Sequence, residues 1–342
     1  RGWQARMNIE NHVELIDYLA GAGHMATGES PVCRTLAGGV SNKTVLVELS
    51  GGRAWVIKQA LPKLRTAADW FADPARVHRE ASGLRWLGQM LPPGSIPALV
   101  FEDESEHLLA MSAVPSPHEN FKTLLLAGHI DPGLIAQAAT MLACLHRRGV
   151  ELRNQLEPVF CDRSYFESLR LEPYYLYAAR QQPAAAAYLR QLVDATRARV
   201  ISLVHGDYSP KNMLVHAGRL VLLDHEVIHF GDPAFDVGFF LTHLVGKAIH
   251  LPDRRGDLLA SIAIFWDNYA SGVWSGIAMT DLQPMCVRHT LGCMLARAVG
   301  RSPLEYLSPE NRWRLQAIAL EQMVSPPADV PGLLERIEKC LS

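Results

Sequence analysis

The sequence predicts an α+β protein of two lobes: a small β-rich lobe over residues 1–114 and a larger, mainly helical lobe over residues 115–342. Strand patterns separated by turns dominate the first part of the chain, and helical patterns dominate after a short proline-rich connector at 113–117. The chain has 342 residues, of which 49% are hydrophobic and 20% charged. That length and composition are sufficient for two hydrophobic cores.

The charge balance and the cysteines exclude several classes of protein. Lys and Arg number 33 against 35 Asp and Glu, which argues against a protein that binds nucleic acid or a membrane surface. No stretch of about eighteen apolar residues is free of charge, and the first residues form no apolar signal-peptide core. The six cysteines include no C-x-x-C pair and are expected to be reduced thiols, so we expect a cytoplasmic protein.

The first lobe is predicted to contain antiparallel strands and one helix. Residues 44–49 and 54–58 are typical of two strands joined by a glycine turn at 51–52. The helix is predicted to begin at Asp73, whose side chain would cap it, and to end before Pro92. The apolar side chains that share one face of this helix are Val77, Ala81, Leu84 and Leu87.

The second lobe is predicted to be helical except for one β-hairpin region. A helix is expected to begin at Asp131 and to end within 146–149. Short apolar segments at 201–204, 213–215 and 220–223 predict strands, the last two joined by a turn. The hairpin region therefore interrupts the helices between residues 201 and 224.

This hairpin region carries the residues that suggest a chemistry. Asp207 precedes Asn212 by five residues, and Asp224 ends the following hairpin. This spacing suits phosphoryl transfer, in which one carboxylate accepts the proton of the attacking hydroxyl, while an amide oxygen and a second carboxylate hold Mg²⁺. The alternative is that Asp207 caps a turn and Asn212 satisfies loop backbone. A zinc site at His225 and His229 is disfavoured, because their i, i+4 spacing serves a metal only on a helix.

The motif resembles the aminoglycoside phosphotransferase/choline kinase family of small-molecule kinases. The residues that carry the resemblance are His205-Gly206-Asp207, Asn212, Asp224 and the segment 231–236, within a match from about residue 36 to about residue 244. Residues 56–62 and the Asp224-x-Glu226 pair also look like methylthioribose kinases within that family.

The resemblance implies a protein-kinase-like fold that uses ATP and Mg²⁺. It implies that Asp207 is the catalytic base, that Asn212 and Asp224 are Mg²⁺ ligands, and that Glu226 is an additional metal-site residue. Asp236 would brace the backbone of the catalytic loop from the start of a helix, as an N-cap with the helix continuing from Val237.

The resemblance also predicts a lysine on the third strand of the small lobe, and Lys58 lies at the end of such a strand. A lysine there is usually solvated. Glu80, however, projects from the apolar stripe of the predicted helix, and a buried carboxylate needs a cation. We therefore expect a Lys58–Glu80 ion pair that directs the ammonium group to the nucleotide phosphates.

The phosphate loop is assigned to residues 36–44. Gly38, Gly39 and Ser41 would lie near the phosphates with the backbone amides, because glycine lets a backbone approach closely. The alternative is an ordinary hairpin turn. A Walker A loop is excluded, because Asn42 replaces the required glycine and a strand follows where a helix is needed.

The nucleotide base is expected to contact residues 111–114. Met111 and Ala113 match in position the hinge whose backbone groups pair with adenine in the family. Their side chains carry little information, so ATP rather than GTP is the default, and Met111 could equally belong to the core.

The helical lobe must supply the site for the phosphate acceptor. Residues 251–342 contain 9 Arg and Lys against 10 Asp and Glu, with no acidic run, which favours a sugar-like or other hydroxylated acceptor over a polycationic aminoglycoside. The side chains available to contact an acceptor are Arg288, Arg297, Arg301, Trp266, Trp274, Tyr269 and Tyr306.

We predict an ATP-dependent, Mg²⁺-requiring kinase that phosphorylates a hydroxyl of a small molecule. An inactive nucleotide-binding regulator of the same fold would be favoured if Lys58, Asp207, Asn212 or Asp224 were lost, and all four are present. An aminoglycoside phosphotransferase is a further alternative. A metal-dependent phosphohydrolase is supported only by the carboxylate cluster.

Overall fold

The computed structural model describes residues 7–26, 28–37, 39–65, 69–273 and 277–342. The chain divides into two compact units, one that ends at Ser116 and one from Pro117 to Ser342. The first is built on a β-sheet and the second is largely helical, so the predicted α+β class is confirmed. None of the helices in the described ranges is both long and apolar enough to cross a bilayer.

The first unit contains a five-stranded antiparallel sheet with the strand order β1-β2-β3-β5-β4. The strands are β1 (Val32–Thr35), β2 (Asn42–Glu48), β3 (Ala54–Ala60), β4 (Leu99–Asp103) and β5 (Leu108–Ser112). The helices are α1 (His12–Gly21) and α2 (Arg76–Met90). The predicted strands correspond to β2 and β3, which a glycine turn joins as expected, with positive φ at Gly51 and Gly52.

The prediction of one helix in this unit was wrong, because α1 is a second. Asn11 caps α1 by accepting a hydrogen bond from the Val13 amide, and Leu15 and Leu19 bury one short stripe. Two buried residues are a weak periodic signal, so the sequence pattern did not reveal the helix. The start of α2 also differs, because the Asp73 carboxylate accepts from the Ala75 amide in a turn and the helix begins at Arg76.

The two faces of the sheet bury different cores. On one face, Val45, Val47 and Ile57 pack with α1. On the other, Val77, Ala81 and Leu84 of the predicted α2 stripe pack against Leu109 and Met111. Strand alternation places Lys58 on the same face as Val56 and Ala60, which is the face that α2 covers.

The second unit is built around a central helix that is buried by the other elements of the unit. Its helices are α3 (Phe121–Leu126), α4 (Pro132–Glu151), α5 (Arg153–Phe160), α6 (Ser164–Phe166), α7 (Tyr177–Gln181), α8 (Ala186–Ala198), α9 (Ala234–His250), α10 (Arg255–Val273), α11 (Met279–Val299), α12 (Pro309–Val324) and α13 (Val330–Leu341). The central helix is α9, in which every residue before His250 is buried. The helix α4 begins as predicted, with Asp131 accepting a hydrogen bond from the Gly133 amide at 2.7 Å.

The strands of this unit are β6 (His118–Asn120), β7 (Ser202–Val204), β8 (Met213–His216), β9 (Arg219–Leu222) and β10 (His229–Gly231). The predicted hairpin is β8–β9, whose turn places Ala217 and Gly218 at positive φ. The strand β7 is not part of that hairpin, since it pairs with β10. β10 is three residues long and gave no alternating pattern to predict it.

A π-helix, Glu167–Leu176, separates α6 from α7. It contains Pro173, which donates no backbone hydrogen bond. Helices of this type are rare and often lie at functional sites. This one carries Arg170 toward the loop that follows β7.

Candidate active site

The catalytic loop, residues 205–212, connects β7 to β8. Gly206 has a φ of 78°, and a Cβ at this position would lie 2.9 Å from a methyl carbon of Val227. Both the backbone conformation and the close approach therefore require glycine. Tyr208, the residue after Asp207, is buried and donates a hydrogen bond to the Ala138 carbonyl at 2.6 Å, which ties the loop to α4.

Asp236 holds the start of this loop, as the sequence suggested. Its carboxylate accepts hydrogen bonds from the amides of His205 at 2.7 Å and Gly206 at 2.8 Å. The ring of His146 lies 3.2 Å from the same carboxylate. Burial raises the pKa of Asp236, but the hydrogen bond and charge of His146, together with the charge of His205 and the hydrogen bond from the Gly206 amide, hold the pKa below its ordinary value. Asp236 is not an N-cap, because α9 already begins at Ala234.

Asp207 and Asn212 contact each other across the loop. The Asn212 amide nitrogen donates to the Asp207 carboxylate at 2.7 Å and to the Asp207 carbonyl at 3.0 Å. The second bond is the backbone role that the alternative interpretation allowed, and the first fixes the carboxylate. The Asp207 side chain is 14% exposed, so it is held in place and still reachable.

Arg170 completes this arrangement and was not predicted from the sequence. Its guanidinium lies 3.0 Å from the Asp207 carboxylate and donates to the Gly206 carbonyl at 2.8 Å. Burial lowers the pKa of Arg170, but the charges of Asp207, Glu226 and Asp224 raise it above its ordinary value. Arg170 precedes the motif by more than thirty residues and lies on a π-helix, so no local spacing pointed to it.

Asn212, Asp224 and Glu226 lie at the open end of the β8–β9 hairpin. The Leu223 amide donates to the Asn212 carbonyl at 2.8 Å, which places Asp224 beside Asn212. Asp224 has a φ of 68°, an uncommon backbone conformation outside glycine, and Glu226 is buried.

These side chains fit a divalent cation. The negative charges of Asp207, Asp224 and Glu226 all raise the pKa of Arg170, so the three carboxylates lie around its guanidinium. The four groups together carry a formal charge of −2. Carboxylate and amide oxygens are also the donors that Mg²⁺ prefers.

His225 and His229 have different ring partners. The ring of His225 lies 3.1 Å from that of His205, whereas the His229 ring stacks on Phe166 at 4.0 Å. Within the described ranges, no three His, Cys, Asp or Glu side chains form a group that could hold a metal ion. The oxygen donors expected for Mg²⁺ are two carboxylates, those of Asp224 and Glu226, and the side-chain amide of Asn212.

Lys58 and Glu80 form the expected ion pair in the first unit. The Lys58 ammonium nitrogen lies 2.6 Å from a Glu80 carboxylate oxygen. The Glu80 side chain is fully buried and that of Lys58 is 12% exposed. Lys58 lies within the second half of β3 rather than at its end, because β3 continues to Ala60.

The candidate phosphate loop connects β1 to β2. Gly38 lies outside the described residues. At Gly39 a Cβ would lie 2.8 Å from the Asn42 carbonyl oxygen, so this position requires glycine. The Ser41 carbonyl accepts hydrogen bonds from the Leu61 amide and from the buried guanidinium of Arg76, which fix the end of the loop.

The two residues expected to contact the nucleotide base differ in their surroundings. Met111 is buried and pairs with Val56 in the sheet. The Ala113 amide donates to the Ala54 carbonyl at 2.9 Å, so its carbonyl is the backbone group left to contact a base. Met111 therefore also has the core role that the sequence left open.

The side chains considered for the acceptor have different surroundings. Trp266 and Tyr269 are buried, and the Tyr269 hydroxyl lies 2.9 Å from the ring of His146, so both serve the core. Trp274 lies outside the described residues. Arg297 and Tyr306 lie near each other in the helical unit, and both adjoin the buried Lys247.

Three kinds of comparison with known proteins bear on this site. A model of a family described as "phosphotransferase enzyme family" matches residues 32–266. Methylthioribose kinase 1 of Oryza sativa subsp. japonica is 26% identical over 254 residues, which cover 62% of this chain and 57% of the rice protein. The methylthioribose kinase of Yersinia enterocolitica is 26% identical over 249 residues, 63% of this chain and 62% of that protein. The chain thus spans less than two thirds of the length of these relatives.

Solved structures share the fold. A choline/ethanolamine kinase family protein from Mesorhizobium loti has a TM-score of 0.53 at 15% identity, covering 95% of this chain and 93% of that one. An amicoumacin kinase in complex with AMP-PNP and Ca²⁺ has a TM-score of 0.57 at 14% identity, covering 96% and 100%. At these identities the comparison concerns the fold alone, and it confirms the expected fold class.

Proposed function

Because this chain belongs to the phosphotransferase enzyme family, we propose that it is a kinase that transfers the γ-phosphate of Mg²⁺-bound ATP to a hydroxyl of a small molecule. The resemblance to the aminoglycoside phosphotransferase/choline kinase family is confirmed at the level of the family. What we propose beyond the family is that ATP is the phosphoryl donor, that Mg²⁺ is the cation and that a small-molecule hydroxyl is the acceptor.

One observation carries the proposal. The Asp207 carboxylate is held at 2.7 Å by Asn212 and at 3.0 Å by Arg170, on a loop that Asp236 fixes through two backbone amides. A carboxylate positioned in this way is suited to orient a hydroxyl and to accept its proton. Phosphoryl transfer depends mainly on such positioning and on electrostatic stabilisation.

The remaining candidate residues would bind the nucleotide and its cation. Asn212 and Asp224 would hold Mg²⁺, with Glu226 beside them. The cation would bridge the phosphate oxygens and offset the charge that develops on them. Lys58, oriented by Glu80, would donate to the phosphates, and the Gly39–Ser41 backbone would approach them closely.

A sugar-like acceptor agrees best with these findings. The relatives that match this chain are methylthioribose kinases, whose name states a hydroxylated sugar as substrate. The charge balance of residues 251–342 disfavours a polycationic aminoglycoside. The inactive regulator is disfavoured because Lys58, Asp207, Asn212 and Asp224 are all present.

The experiment is a product screen. The full chain is incubated with ATP and Mg²⁺ and with methylthioribose, free sugars, sugar phosphates, sugar acids, nucleosides, amino alcohols or an aminoglycoside, and mass spectrometry detects the added phosphoryl group. We expect a phosphorylated product from a sugar-like acceptor and none from the Asp207→Asn variant. Release of inorganic phosphate regardless of the acceptor would instead identify a phosphohydrolase.

A prediction concerns the ion pair in the first unit. Glu80→Ala should lower kcat/KM for ATP although Glu80 contacts no substrate, because Lys58 would lose its orientation. The double variant with Lys58→Ala should be little worse than Lys58→Ala alone, since residues that act as one unit are not additive. A double-mutant cycle on kcat/KM for ATP measures this coupling.

The exposed ion pair of Lys63 and Asp69 is the matched control for that cycle. The pair is 2.7 Å apart, with side chains 55% and 75% exposed, and Asp69→Ala should leave kcat/KM unchanged. Strictly additive losses at Lys58 and Glu80 would show that the two are not coupled in ATP use.

A further inference from the structure

The second unit contains a group of cationic side chains that the proposed chemistry does not use. We call it the cation cluster: Lys122 on α3, Lys247 on α9 and Arg297 on α11. Lys247 is fully buried and Arg297 is 9% exposed. Burying cations is costly unless anions compensate them, so the neighbours of the cluster decide what it can bind.

The neighbours of the cluster leave it net positive. Glu305 is the carboxylate that pairs with Lys122, and its side chain is 65% exposed. His243 is buried 3.5 Å from the Arg297 guanidinium, and burial together with the charges of Arg297, Lys247 and Lys122 holds its pKa well below the ordinary value, so it is neutral. Three cations therefore face one carboxylate, which is an excess of positive charge in a buried place.

Tyr306 holds the two lysines of the cluster together. The Lys247 ammonium lies 5.3 Å and the Lys122 ammonium 6.0 Å from the centre of its ring. Among the described residues, neither the Tyr306 hydroxyl nor Arg297 Nε, both buried, has a hydrogen-bond partner. Two unused donors beside two ammonium groups are what an oxyanion needs.

The cluster adjoins the catalytic loop along two routes. Asn120 caps α3, because its side-chain oxygen accepts a hydrogen bond from the Lys122 amide. Its side-chain nitrogen donates to the Lys211 carbonyl of the catalytic loop at 2.7 Å. The ring of Tyr174 lies 5.7 Å from the guanidinium of Arg170, which contacts Asp207, and 5.4 Å from that of Arg297. The Tyr174 ring thus connects Arg297 of the cluster to Arg170, which contacts the candidate base.

We infer that the cation cluster binds the carboxylate or phosphate group of an anionic acceptor, so that the phosphorylated molecule is a hydroxylated acid or a sugar phosphate rather than a neutral sugar. This inference rests on the proposed kinase function and narrows its acceptor. The acceptor's anion displaces Glu305 from Lys122 and pairs with Lys247 and Arg297, while its hydroxyl is presented to Asp207.

The buried lysine gives the site a pH dependence. Burial, with a contribution from the Lys122 ammonium, lowers the pKa of Lys247 to about 7. The charged groups around it are Lys122 on α3, Arg297 on α11 and Glu305 between α11 and α12, and the neutral His243 lies on its own helix. Lys247 is protonated below pH 7, so anion affinity should fall as the pH rises above about 7.

The first test measures binding without catalysis. Inorganic sulfate is the probe, because its charge is constant from about pH 6 to pH 9, and sodium chloride of equal ionic strength is the reference. Calorimetry at about pH 6.5 should show sulfate binding that Lys247→Met weakens about tenfold or more and that Glu305→Gln strengthens. If Lys247→Met does not fold, the sulfate affinity of Lys122→Met is measured instead.

Two control variants give the test its specificity. Lys339→Met removes an exposed lysine of the same unit, and Lys63→Met removes an exposed lysine of the first unit. Both should leave sulfate affinity within about twofold. Sulfate affinity that is unchanged in Lys247→Met, or no greater than that for chloride, would overturn the inference.

The second test uses matched acceptors. Glucose, glucuronate and glucose 6-phosphate share a ring and differ in charge, and ribose with ribose 5-phosphate repeats the comparison. The anionic member should be favoured about tenfold or more in kcat/KM, chiefly through KM, and Lys247→Met should remove this preference. The carboxylate and phosphate members distinguish the two sources of the anion.

The outcomes separate this inference from the proposed function. Preference for the neutral sugars, unchanged in Lys247→Met, would overturn the anionic acceptor and leave the kinase intact. Sulfate binding that depends on Lys247 in a protein that phosphorylates neither these compounds nor any acceptor of the product screen would support the anion site and contradict the kinase.

Discussion

Replacing Asp207 by asparagine is expected to lower kcat by about 10²–10⁴-fold or more, to a level at which product is barely detected. The substitution turns one carboxylate oxygen into an NH₂ group and removes the negative charge, so the side chain no longer accepts the proton of the hydroxyl. The remaining oxygen still accepts from Asn212 or Arg170, so the loop keeps its shape. Nucleotide affinity should stay within a few-fold, and steady-state kinetics with calorimetry measures both quantities.

Asp194 provides the matched control for this variant. It lies on α8 in the same unit with a side chain 78% exposed, so Asp194→Asn should change neither kcat nor nucleotide affinity. Near-normal turnover of Asp207→Asn would show that this carboxylate is not the base.

Loss of Asp224 is expected to remove Mg²⁺-dependent nucleotide binding and activity together. The cation would lose a charged oxygen ligand, which Asn212 cannot replace. Asp224→Asn is the sharper variant than Asp224→Ala, because asparagine tolerates the observed φ of 68° better than alanine does. Calorimetry with ATP, in the presence and absence of Mg²⁺, measures the metal-dependent part.

Glu226 and Asp257 supply the comparisons for this experiment. Glu226→Ala should do less than Asp224→Ala if Glu226 only adjoins the cation, and equally much if it is a ligand. Asp257→Ala removes an exposed carboxylate of α10 and should have no effect. Unchanged binding of Mg²⁺-bound ATP in both Asp224 variants would contradict the metal role.

The sequence predicted those parts of the site whose residues are close together in the chain. Asp207, Asn212 and Asp224 lie on one loop and one hairpin, so their spacing already determined which of them meet. Glu80 could be paired with Lys58 across the fold because a carboxylate in an apolar stripe has few other ways to be satisfied.

The sequence could not reveal contacts that depend on tertiary packing. Arg170 and the cation cluster join residues from different helices, and a lone Arg or Lys in a helical pattern is normally a solvated side chain. The partner of β7 was also missed, because β10 is too short to show a period of two. The two buried residues of α1 were likewise too few to show a helical period.

The π-helix at Glu167–Leu176 affects how related sequences should be aligned. A π-helical turn closes its hydrogen bonds over one more residue than an α-helical turn, so it behaves as an insertion. In a relative with an α-helix here, counting positions without a gap would match Arg170 to a side chain rotated by about 100°. A one-residue deletion could thus turn the arginine away from Asp207 while every motif residue remained. Family members with identical motifs can therefore differ in the charge beside the base, through gaps that no motif search detects.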